Sequence, residues 1–350
     1  MSTITTNRRY RLRARPTGRV SRADLELVEE HIPALESGEA LLRTLYLSVD
    51  PTSRVWMRET PTYVEPVPLG GVMRGVGIGQ VVASRRSDMA VGDLVHGYTG
   101  WQEYAIASGS GVSSPWTVLP SPLPAPVPTF LGTLGHTGIS AYIGMNLFGK
   151  PQPGETVVVS AAAGATGGIA GQLAQARGAR VVGIAGGAAK AHHVVETLGF
   201  DACVDYQAVD WRERLAASTP DGIDVVFENV GGQIMDESVA RTNHGARVVI
   251  CGLISQYNEL PAEGAGDRRT IFNLLTRRAT LHTFLMPDYR DRSAEAIKYL
   301  ANLLNEGKLR HEETIIDGLE NAITALNDLF AGRNIGKVLV KVADPQPAVG

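Results

Sequence analysis

Cysteine is scarce in this sequence, which contains Cys203 and Cys251 as its two cysteines in 350 residues. Two cysteines cannot form a four-cysteine zinc site. Neither has a C-x-x-C partner or a metal-ligand spacing to a histidine. Both stand in apolar runs, where we expect buried thiols and not catalytic ones. Low cysteine use without a disulfide framework is typical of a reducing compartment, so we expect a cytoplasmic protein.

Long hydrophobic runs and an excess of one charge are also lacking. No apolar stretch approaches the ~20 residues of a membrane span, and no signal-peptide pattern opens the sequence. The formal net charge is −3, so no strong field attracts nucleic acid or an anionic membrane, and we expect neither as a partner. The length of 350 residues and hydrophobic content of 44% fit a globular protein of two domains.

Glycine, in contrast, is plentiful, and its most informative cluster lies in residues 156–190, TVVVSAAAGATGGIAGQLAQARGARVVGIAGGAAK. A β-branched run, Thr156–Ser160, leads into a glycine-rich turn, a helical segment follows, and a second apolar run covers Val181–Ala185. This order predicts a β-α-β unit whose turn is a variant of the G-x-G-x-x-G dinucleotide fingerprint. The three glycine positions are held by Ala162, Gly164 and Gly167. The start of the helix would then direct free N–H groups at the phosphates.

The end of the second run indicates which dinucleotide is bound. An NAD site usually has an Asp or Glu there, which holds the ribose hydroxyls. This chain instead reads GGAAK from Gly186 to Lys190. Because an acid repels a 2′-phosphate and a lysine attracts it, the pattern favours NADP(H). The alternative is that Lys190 is a solvated residue on the next helix.

The pattern of the chain changes near residue 120. Before it, short β-type runs separated by Gly, Pro and Asp predict a compact, mostly β domain. A proline-rich passage, Pro115 to Pro128, is the predicted junction. Strands and helices then alternate to about residue 310, which predicts a doubly wound parallel sheet. Its predicted strands are 155–160, 180–185, 201–205, 223–228, 246–251 and 279–285. The sequence leaves open whether the last strand, Lys337–Val342, completes the first domain.

Six further segments carry a resemblance to one family. They are YLSVDPTSRVWM (Tyr46–Met57), GVMRGVGIGQVV (Gly71–Val82), GTLGHTGISAYIGM (Gly132–Met145), FENVGG (Phe227–Gly232), CGLISQYN (Cys251–Asn258) and NIGKVLVKV (Asn334–Val342). In order and spacing they resemble motifs of the zinc-independent medium-chain dehydrogenase/reductases. Within this family the chain is similar to the group of prostaglandin reductases, leukotriene hydroxydehydrogenases and plant alkenal double-bond reductases, in which FDNVGG stands where this chain has FENVGG.

The resemblance implies an α/β chain of two domains. A GroES-like β domain for the substrate would comprise residues 1–123 and 312–350, and a Rossmann NADP(H)-binding domain residues 124–311. The resemblance also implies NADPH in the cleft between these domains, no metal, and usually a homodimer.

The resemblance further implies which residues bind the cofactor. Ala163, Gly164, Ala165, Thr166 and Gly167 match the pyrophosphate loop. Lys190, which follows Gly186, matches the lysine for the 2′-phosphate, and Tyr206 matches a tyrosine by the adenosine ribose phosphate. Asn229 matches an asparagine near the nicotinamide ribose. The other matching positions along the cofactor groove are Cys251, Ile254, Ser255, Phe284, Leu285 and Asn334.

Tyr257 matches the active-site tyrosine of the CGxISxYN motif, although a tyrosine packed with its hydroxyl at the surface is the alternative. Tyr98 is a candidate for the substrate pocket. Asp50 and Arg54 are also candidates there, but a buried Asp-Arg pair that braces the domain interface is an equal interpretation. The stretch Gly264–Arg269 is a predicted mobile loop near the pocket.

The resemblance implies a reductase of the carbon–carbon double bond in α,β-unsaturated aldehydes or ketones. NADPH would give its hydride to the β-carbon, and negative charge would build on the carbonyl oxygen. Tyr257 or the ribose 2′-hydroxyl would stabilise that charge, and Tyr257 or water would supply the proton, because a tyrosine hydroxyl is protonated at neutral pH. The alternatives are a quinone reductase of the same superfamily and a catalytically silent binding protein with this fold.

Overall fold

A computed structural model describes residues 5–109, 116–258 and 268–346 of the chain. The chain divides into two compact units. The first comprises Met1–Leu131, Thr314–Arg333 and Val338–Gly350, and the second comprises Gly132–Glu313 and Asn334–Lys337. In the described ranges, no helix is long and apolar enough to cross a membrane.

The first unit is built mainly of antiparallel strands. A two-stranded sheet joins β1 and β2, and a larger sheet has the order β14-β15-β3-β4-β5-β7, with β6 also paired to β3. The C-terminal strand β15 pairs antiparallel with β3, so it completes the sheet of the first unit. The strands are β1 (Thr6–Leu12), β2 (Leu25–His31), β3 (Ala40–Ser48), β4 (Gly77–Ser84), β5 (Leu94–Gly97), β6 (Tyr104–Ala107), β7 (Thr117–Val118), β14 (Glu313–Asp317) and β15 (Lys337–Lys341).

The second unit contains a six-stranded parallel sheet with the order β10-β9-β8-β11-β12-β13. Its strands are β8 (Thr156–Ser160), β9 (Arg180–Ala185), β10 (Ala202–Asp205), β11 (Ile223–Glu228), β12 (Thr242–Ile250) and β13 (Thr280–Thr283). All five residues of β8 are buried. A continuous run of buried β-branched residues is typical of a central strand covered on both faces, where each buried valine contributes about 1.5–3 kcal/mol.

Helices connect the parallel strands. Within the described ranges the α-helices are α1 (Thr52–Trp56), α2 (His136–Ile143), α3 (Ala165–Gln175), α4 (Ala188–His192), α5 (Trp211–Ser218), α6 (Gly232–Ala240), α7 (Arg268–Arg277), α8 (Ser293–Asn305) and α9 (Ala322–Phe330). Two expectations fall partly on residues that are not described. Pro115 of the predicted junction and residues 264–267 of the predicted loop lie outside the described ranges. Arg269, which was expected in that loop, lies in the first turn of α7 instead.

Candidate cofactor site and active site

The order of the parallel strands reverses at the centre of the sheet. From β8 the chain proceeds to β9 and β10 on one side, and then to β11, β12 and β13 on the other. Strands β8 and β11 are neighbours, and the turns that follow their carboxyl ends lead the chain to opposite sides of the sheet. In open parallel sheets this switch point is where ligands bind. Most of the predicted cofactor residues lie in the turns and first helical turns that follow the parallel strands at this edge.

The glycine-rich turn connects β8 to α3. Ala161 has a φ of +50°, and Gly164 is extended and directly precedes the helix, so it offers no capping side chain. A Cβ atom on Gly167 would lie 2.4 Å from the carbonyl oxygen of Ala161, which is too close for any side chain. Gly167 therefore allows the first turn of α3 to pack against the end of β8. The start of this 11-residue helix provides the backbone N–H groups and the positive dipole end that suit a phosphate.

A second segment lies against this turn although it is distant in sequence. Gly336 donates its N–H to the carbonyl oxygen of Ala163 at 2.8 Å, and Gly164 and Gly336 form a parallel β-bridge. Asn334 is buried, and its side-chain amide donates to the carbonyl oxygen of Gly336 at 3.0 Å. The fold thus brings Asn334 and the predicted pyrophosphate loop together.

The turns after β9 and β10 form the predicted site of the 2′-phosphate. A Cβ atom on Gly186 would lie 2.9 Å from the hydroxyl of Tyr206, so these two predicted residues are adjacent and a side chain at position 186 would displace the tyrosine. Gly187, with a φ of +89°, donates its N–H to Asp205 at 2.7 Å. Helix α4, which carries Lys190, contacts the ends of both strands.

Lys190 is half-buried, and burial lowers the pKa of its ammonium group from the ordinary value of 10.5. Within the described ranges, no carboxylate lies at ion-pair distance from it. Desolvation disfavours the charged form of a lysine, and an anionic ligand would restore it. A phosphate at this position would therefore satisfy a charge that the protein itself leaves uncompensated.

The turns after β11 and β12 bring the residues of the predicted nicotinamide end together. The carbonyl oxygen of Asn229 accepts the N–H of Ile254 at 3.0 Å. Ser255 donates both its N–H (3.0 Å) and its hydroxyl (2.6 Å) to the carbonyl oxygen of Val230. Cys251 donates its N–H to the carbonyl oxygen of Glu228 at 2.8 Å. Asn229, Cys251, Ile254 and Ser255 are thus held in one network.

Tyr257 directly follows the short 3-10 helix Ile254–Gln256, whose first two residues belong to this network. Its hydroxyl accepts the N–H of Leu253 at 3.2 Å and lies 3.5 Å from the Cβ position of Gly252. The ring is half-buried. The hydrogen bond from Leu253 holds the hydroxyl over the turn after β12. This places the predicted catalytic hydroxyl beside Asn229, whose carbonyl oxygen is the nearest other atom to the same Gly252 position.

Phe284 and Leu285 follow the edge strand β13. Phe284 stacks on Phe148 with 5.6 Å between the ring centroids, and Tyr289 packs edge-on against both rings. Leu285 is 40% exposed. The aromatic contacts fix the backbone of this segment, which is the part that the resemblance assigns to the cofactor.

The predicted substrate-pocket residues belong to the first unit. Tyr98 is half-buried and packs against the core that contains Trp56. Arg54 is buried and donates to the carbonyl oxygens of Pro16 at 2.6 Å and Gly18 at 3.2 Å, while Asp50 accepts the hydroxyl of Ser48. The bonds of Arg54 brace the loop before β2. The two interpretations of Asp50 and Arg54, a bracing pair or a substrate role, stay predictions.

Comparison with known proteins places the chain among characterised families. Residues 8–114 match the family described as "N-terminal domain of oxidoreductase", and residues 165–302 match "Zinc-binding dehydrogenase". The NADPH-dependent curcumin reductase of Escherichia coli (strain K12) is 41% identical over 340 residues, which cover 96% of this chain and 97% of that protein. The NADP(+)-dependent 2-alkenal reductase of Nicotiana tabacum is 35% identical over 350 residues, with 98% and 99% covered.

A solved structure agrees with these relatives. CurA from Vibrio vulnificus in complex with NADPH superimposes with a TM-score of 0.91 at 39% identity, over 97% of this chain and 100% of that one. The chain belongs to the zinc-independent medium-chain dehydrogenase/reductases. The family and the α/β fold class that the sequence predicts are thereby confirmed.

The surroundings of the two cysteines determine whether their thiols are charged. Burial raises the pKa of Cys203 and of Cys251 to about 12, so both are neutral thiols at physiological pH. A thiol is a poor nucleophile and a poor metal ligand. Across the described ranges, no group of three or more His, Cys, Asp or Glu side chains is arranged to hold a metal ion.

Three residues of this reductase fold escaped the sequence analysis. Glu228 and Ser160 end neighbouring strands, and the hydroxyl of Ser160 donates to the carboxyl of Glu228 at 2.8 Å. Asp205 ends β10 and accepts N–H groups from Gly187 and Gln207. The sequence contains one signal for these residues, which is an acid at the end of an apolar run. A buried acid has to be compensated by hydrogen-bond donors, so it predicts a polar network at that position.

Proposed function

We propose that this chain is an NADPH-dependent reductase of the carbon–carbon double bond in α,β-unsaturated aldehydes and ketones, acting without a metal. One observation carries the proposal. A glycine turn, a half-buried lysine that has no acid partner among the described residues, and a tyrosine-bearing turn all lie at the carboxyl edge of one parallel sheet. The names of the relatives support the same reaction class.

The relatives show the enzyme class and the cofactor. Relatives at 35–41% identity over nearly the full chain are named as NADPH-dependent or NADP(+)-dependent reductases, and a structural neighbour is in complex with NADPH. The chain is an NADP-dependent oxidoreductase, and the prediction of this enzyme class and of NADP(H) as cofactor is confirmed.

The residues at the sheet edge fit NADPH. The backbone of Ala163 to Gly167 provides N–H groups for the pyrophosphate, and the hydroxyl of Tyr206 lies next to Gly186, in the turn that precedes Lys190. We assign the 2′-phosphate to Lys190 and Tyr206. We assign the nicotinamide end to Asn229, Cys251, Ile254, Ser255, Phe284 and Leu285. We assign Asn334, which lies beside the pyrophosphate loop, to cofactor binding from the C-terminal segment.

When bound, NADPH supplies the hydride for the β-carbon of the substrate. The task of the protein is to stabilise the negative charge that develops on the carbonyl oxygen. We propose that the Tyr257 hydroxyl donates a hydrogen bond to that oxygen, since a preorganised donor at a developing charge is an effective catalytic device. The bond from the Leu253 N–H to the hydroxyl oxygen holds the donor in place.

The first unit supplies the substrate pocket in this proposal. Tyr98 has an aromatic face that suits an extended unsaturated chain, and we assign it to the pocket. For Asp50 and Arg54 the proposal is indirect. Because Arg54 is buried and bonded to backbone carbonyls, it would hold the wall of the pocket and leave contact with the substrate to Tyr98.

We also propose that the enzyme is a cytoplasmic homodimer that pairs through the edge of the parallel sheet. Strand β13 is the last strand of that sheet, and Leu281 on it is 43% exposed. On the adjacent helix α7, the large apolar residues Ile271, Phe272 and Leu275 are 62–72% exposed. An exposed edge strand beside an apolar patch suits a second copy of the same chain related by a two-fold axis.

Product analysis with labelled cofactor tests the proposed reaction. NADPH carrying deuterium at the transferred position is incubated with a linear 2-alkenal, and the product is examined by mass spectrometry and NMR. We expect the saturated aldehyde with deuterium on the β-carbon. An allylic alcohol with deuterium on the carbonyl carbon would contradict the proposal and would indicate a carbonyl reductase.

A further inference from the structure

The side chain of Glu228 is fully buried at the switch point of the parallel sheet. Its Oε1 atom accepts three hydrogen bonds, from the Ser160 hydroxyl at 2.8 Å, the Val230 N–H at 2.5 Å and the Gly231 N–H at 2.8 Å. Its Oε2 atom has no hydrogen-bond partner among the described residues. Burial raises the pKa of this carboxyl, and the donors oppose that rise. A buried acid is costly, so its presence calls for a function.

Ser160 extends this contact to the neighbouring strand. It is the last residue of β8 and directly precedes the glycine turn. Its hydroxyl oxygen accepts the N–H of Asn229 at 2.8 Å, and its carbonyl oxygen accepts the Asn229 side-chain amide at 2.7 Å. The carboxyl of Glu228 and the hydroxyl of Ser160 therefore join the ends of β8 and β11.

The backbone of the same turn supports the segment after β12. The carbonyl oxygen of Glu228 accepts the N–H groups of Cys251 at 2.8 Å and Gly252 at 3.1 Å. The next two carbonyl groups, on Asn229 and Val230, accept N–H groups from Ile254 and Ser255. The position of residues 251–257, including Tyr257, thus depends on the conformation of the turn that begins at Glu228.

We propose that Glu228 is the positioning residue for the nicotinamide end of the cofactor site. Its carboxyl fixes Asn229 and the 251–257 segment relative to the glycine turn, without itself contacting the cofactor. This inference rests on the proposed function and deepens it, since it names the residue that holds the reactive half of the site in register.

The network predicts what happens when the carboxyl is removed. Alanine at position 228 leaves one hydroxyl and two backbone N–H groups without their acceptor in a buried region. Each orphaned donor costs more than the original bond contributed, so the turn rearranges to recover partners. Lys190 and Tyr206 lie on the other side of β8, beyond β9, and share no hydrogen bond with this network in the described ranges. Their half of the site should keep its shape.

Two ligands separate the two halves of the site. NADPH occupies both, whereas adenosine 2′,5′-bisphosphate carries the adenosine with its 2′- and 5′-phosphates and lacks the nicotinamide half. Isothermal titration calorimetry with each ligand is performed on the full-length wild type and on Glu228→Ala and Glu228→Gln. Asp224→Asn is the matched control. Asp224 is a carboxylate on the same strand that accepts the N–H of Thr156 and the amide of Asn243, both at 2.8 Å, at the opposite end of the sheet.

We expect Glu228→Ala to weaken NADPH binding about tenfold or more while adenosine 2′,5′-bisphosphate binding stays within about twofold of wild type. Glu228→Gln keeps an acceptor oxygen and should recover most of the NADPH affinity. Asp224→Asn should change neither affinity. In steady state, the KM for NADPH of Glu228→Ala should rise more than kcat falls.

Unchanged NADPH binding in Glu228→Ala would overturn the inference, and so would an equal loss for both ligands, which would indicate general damage to the fold. If the alanine variant does not fold, Ser160→Ala decides, because it removes only the hydroxyl between Glu228 and Asn229 and should give the same selective loss. A wild-type protein that binds the bisphosphate and not NADPH would overturn the proposed function, and this inference with it.

Discussion

In our proposal Lys190 decides between the two nicotinamide cofactors. Its ammonium group is half-buried and has no acid partner in the described ranges, and we propose that the 2′-phosphate of NADPH compensates its charge. We predict that Lys190→Ala raises the KM for NADPH about tenfold or more and leaves that for NADH nearly unchanged. Lys308→Ala is the control, because that exposed lysine pairs with Glu306 at 2.8 Å. Equal losses with both cofactors would contradict the assignment.

The same lysine predicts a pH dependence of cofactor choice. Burial lowers the pKa of Lys190 below 10.5, and only the protonated form attracts a phosphate. The preference for NADPH over NADH therefore declines as pH rises through the lowered pKa of Lys190, at a pH below 10.5. Measuring both Michaelis constants across this range checks the prediction. Lys190→Arg should remove the decline, because arginine stays charged.

Tyr257 is the residue to which we assign stabilisation of charge in the chemical step. Its hydroxyl is held by the Leu253 N–H, and replacement by phenylalanine removes the donor without changing the shape of the ring. We predict that Tyr257→Phe lowers kcat about tenfold to a thousandfold, while the dissociation constant of NADPH stays within about twofold. Stopped-flow turnover and calorimetry measure the two quantities. A variant with wild-type turnover would rule out Tyr257 as the donor.

Among the larger elements, the connection between α8 and β14 contains a titrating contact. The ring of His311 lies 2.8 Å from the Glu313 carboxylate, which raises the pKa of the histidine above 6.5. The folded state then binds the proton more tightly than the unfolded state. The resulting stability is complete below pH 6.5 and is lost as pH rises through the raised pKa.

We predict that this contact is visible in thermal unfolding. From pH 6 to pH 8 the Tm of the wild type should fall by about 2 °C more than that of His311→Gln. The glutamine side chain is similar in size to that of histidine but does not titrate. Comparing the two proteins at each pH cancels the contribution of other groups. Parallel curves would show that the contact contributes no stability.

The sequence predicted the elements well where local patterns determine them. The six parallel strands were expected within a few residues of β8 to β13, because continuous β-branched runs between glycine-rich turns have few other interpretations. Strands β1 and β2 escaped prediction. Their sequences, TNRRYRL and LELVEEH, are rich in charged residues, and only the pairing of the two strands turns Tyr10 and Leu12 into the core.

The candidate site could be predicted only in part. The glycine turn and Lys190 have local signals, and Tyr257 and Asn334 were found through the resemblance. The contact between Ser160 and Glu228 links residues 68 positions apart in sequence, and no spacing rule points to it. The same holds for the approach of Gly336 to Ala163. Contacts of this kind depend on the strand order, which a single sequence does not reveal.

At the scale of the whole molecule, the proposed homodimer depends on the edge strand β13 and helix α7. We predict that the wild type elutes as a dimer in size-exclusion chromatography with light scattering. The double variant Leu275→Lys/Leu281→Lys should be a monomer, because each substitution places a charge twice in a two-fold interface. Val209→Lys is the control, since Val209 is fully exposed in a loop before α5. A double variant that remains dimeric would show that the two copies associate elsewhere.

The most direct test of the central claim is the initial rate of NADPH oxidation, followed by the absorbance of the nicotinamide. A linear 2-alkenal, an enone and a quinone are compared, with NADH in parallel. The account predicts rapid oxidation of NADPH with the enal or the enone and little with NADH. Activity with the quinone alone would contradict enone reduction and assign the chain to the quinone reductases. NADPH binding without turnover of any substrate would contradict the enzymatic role proposed for Tyr257.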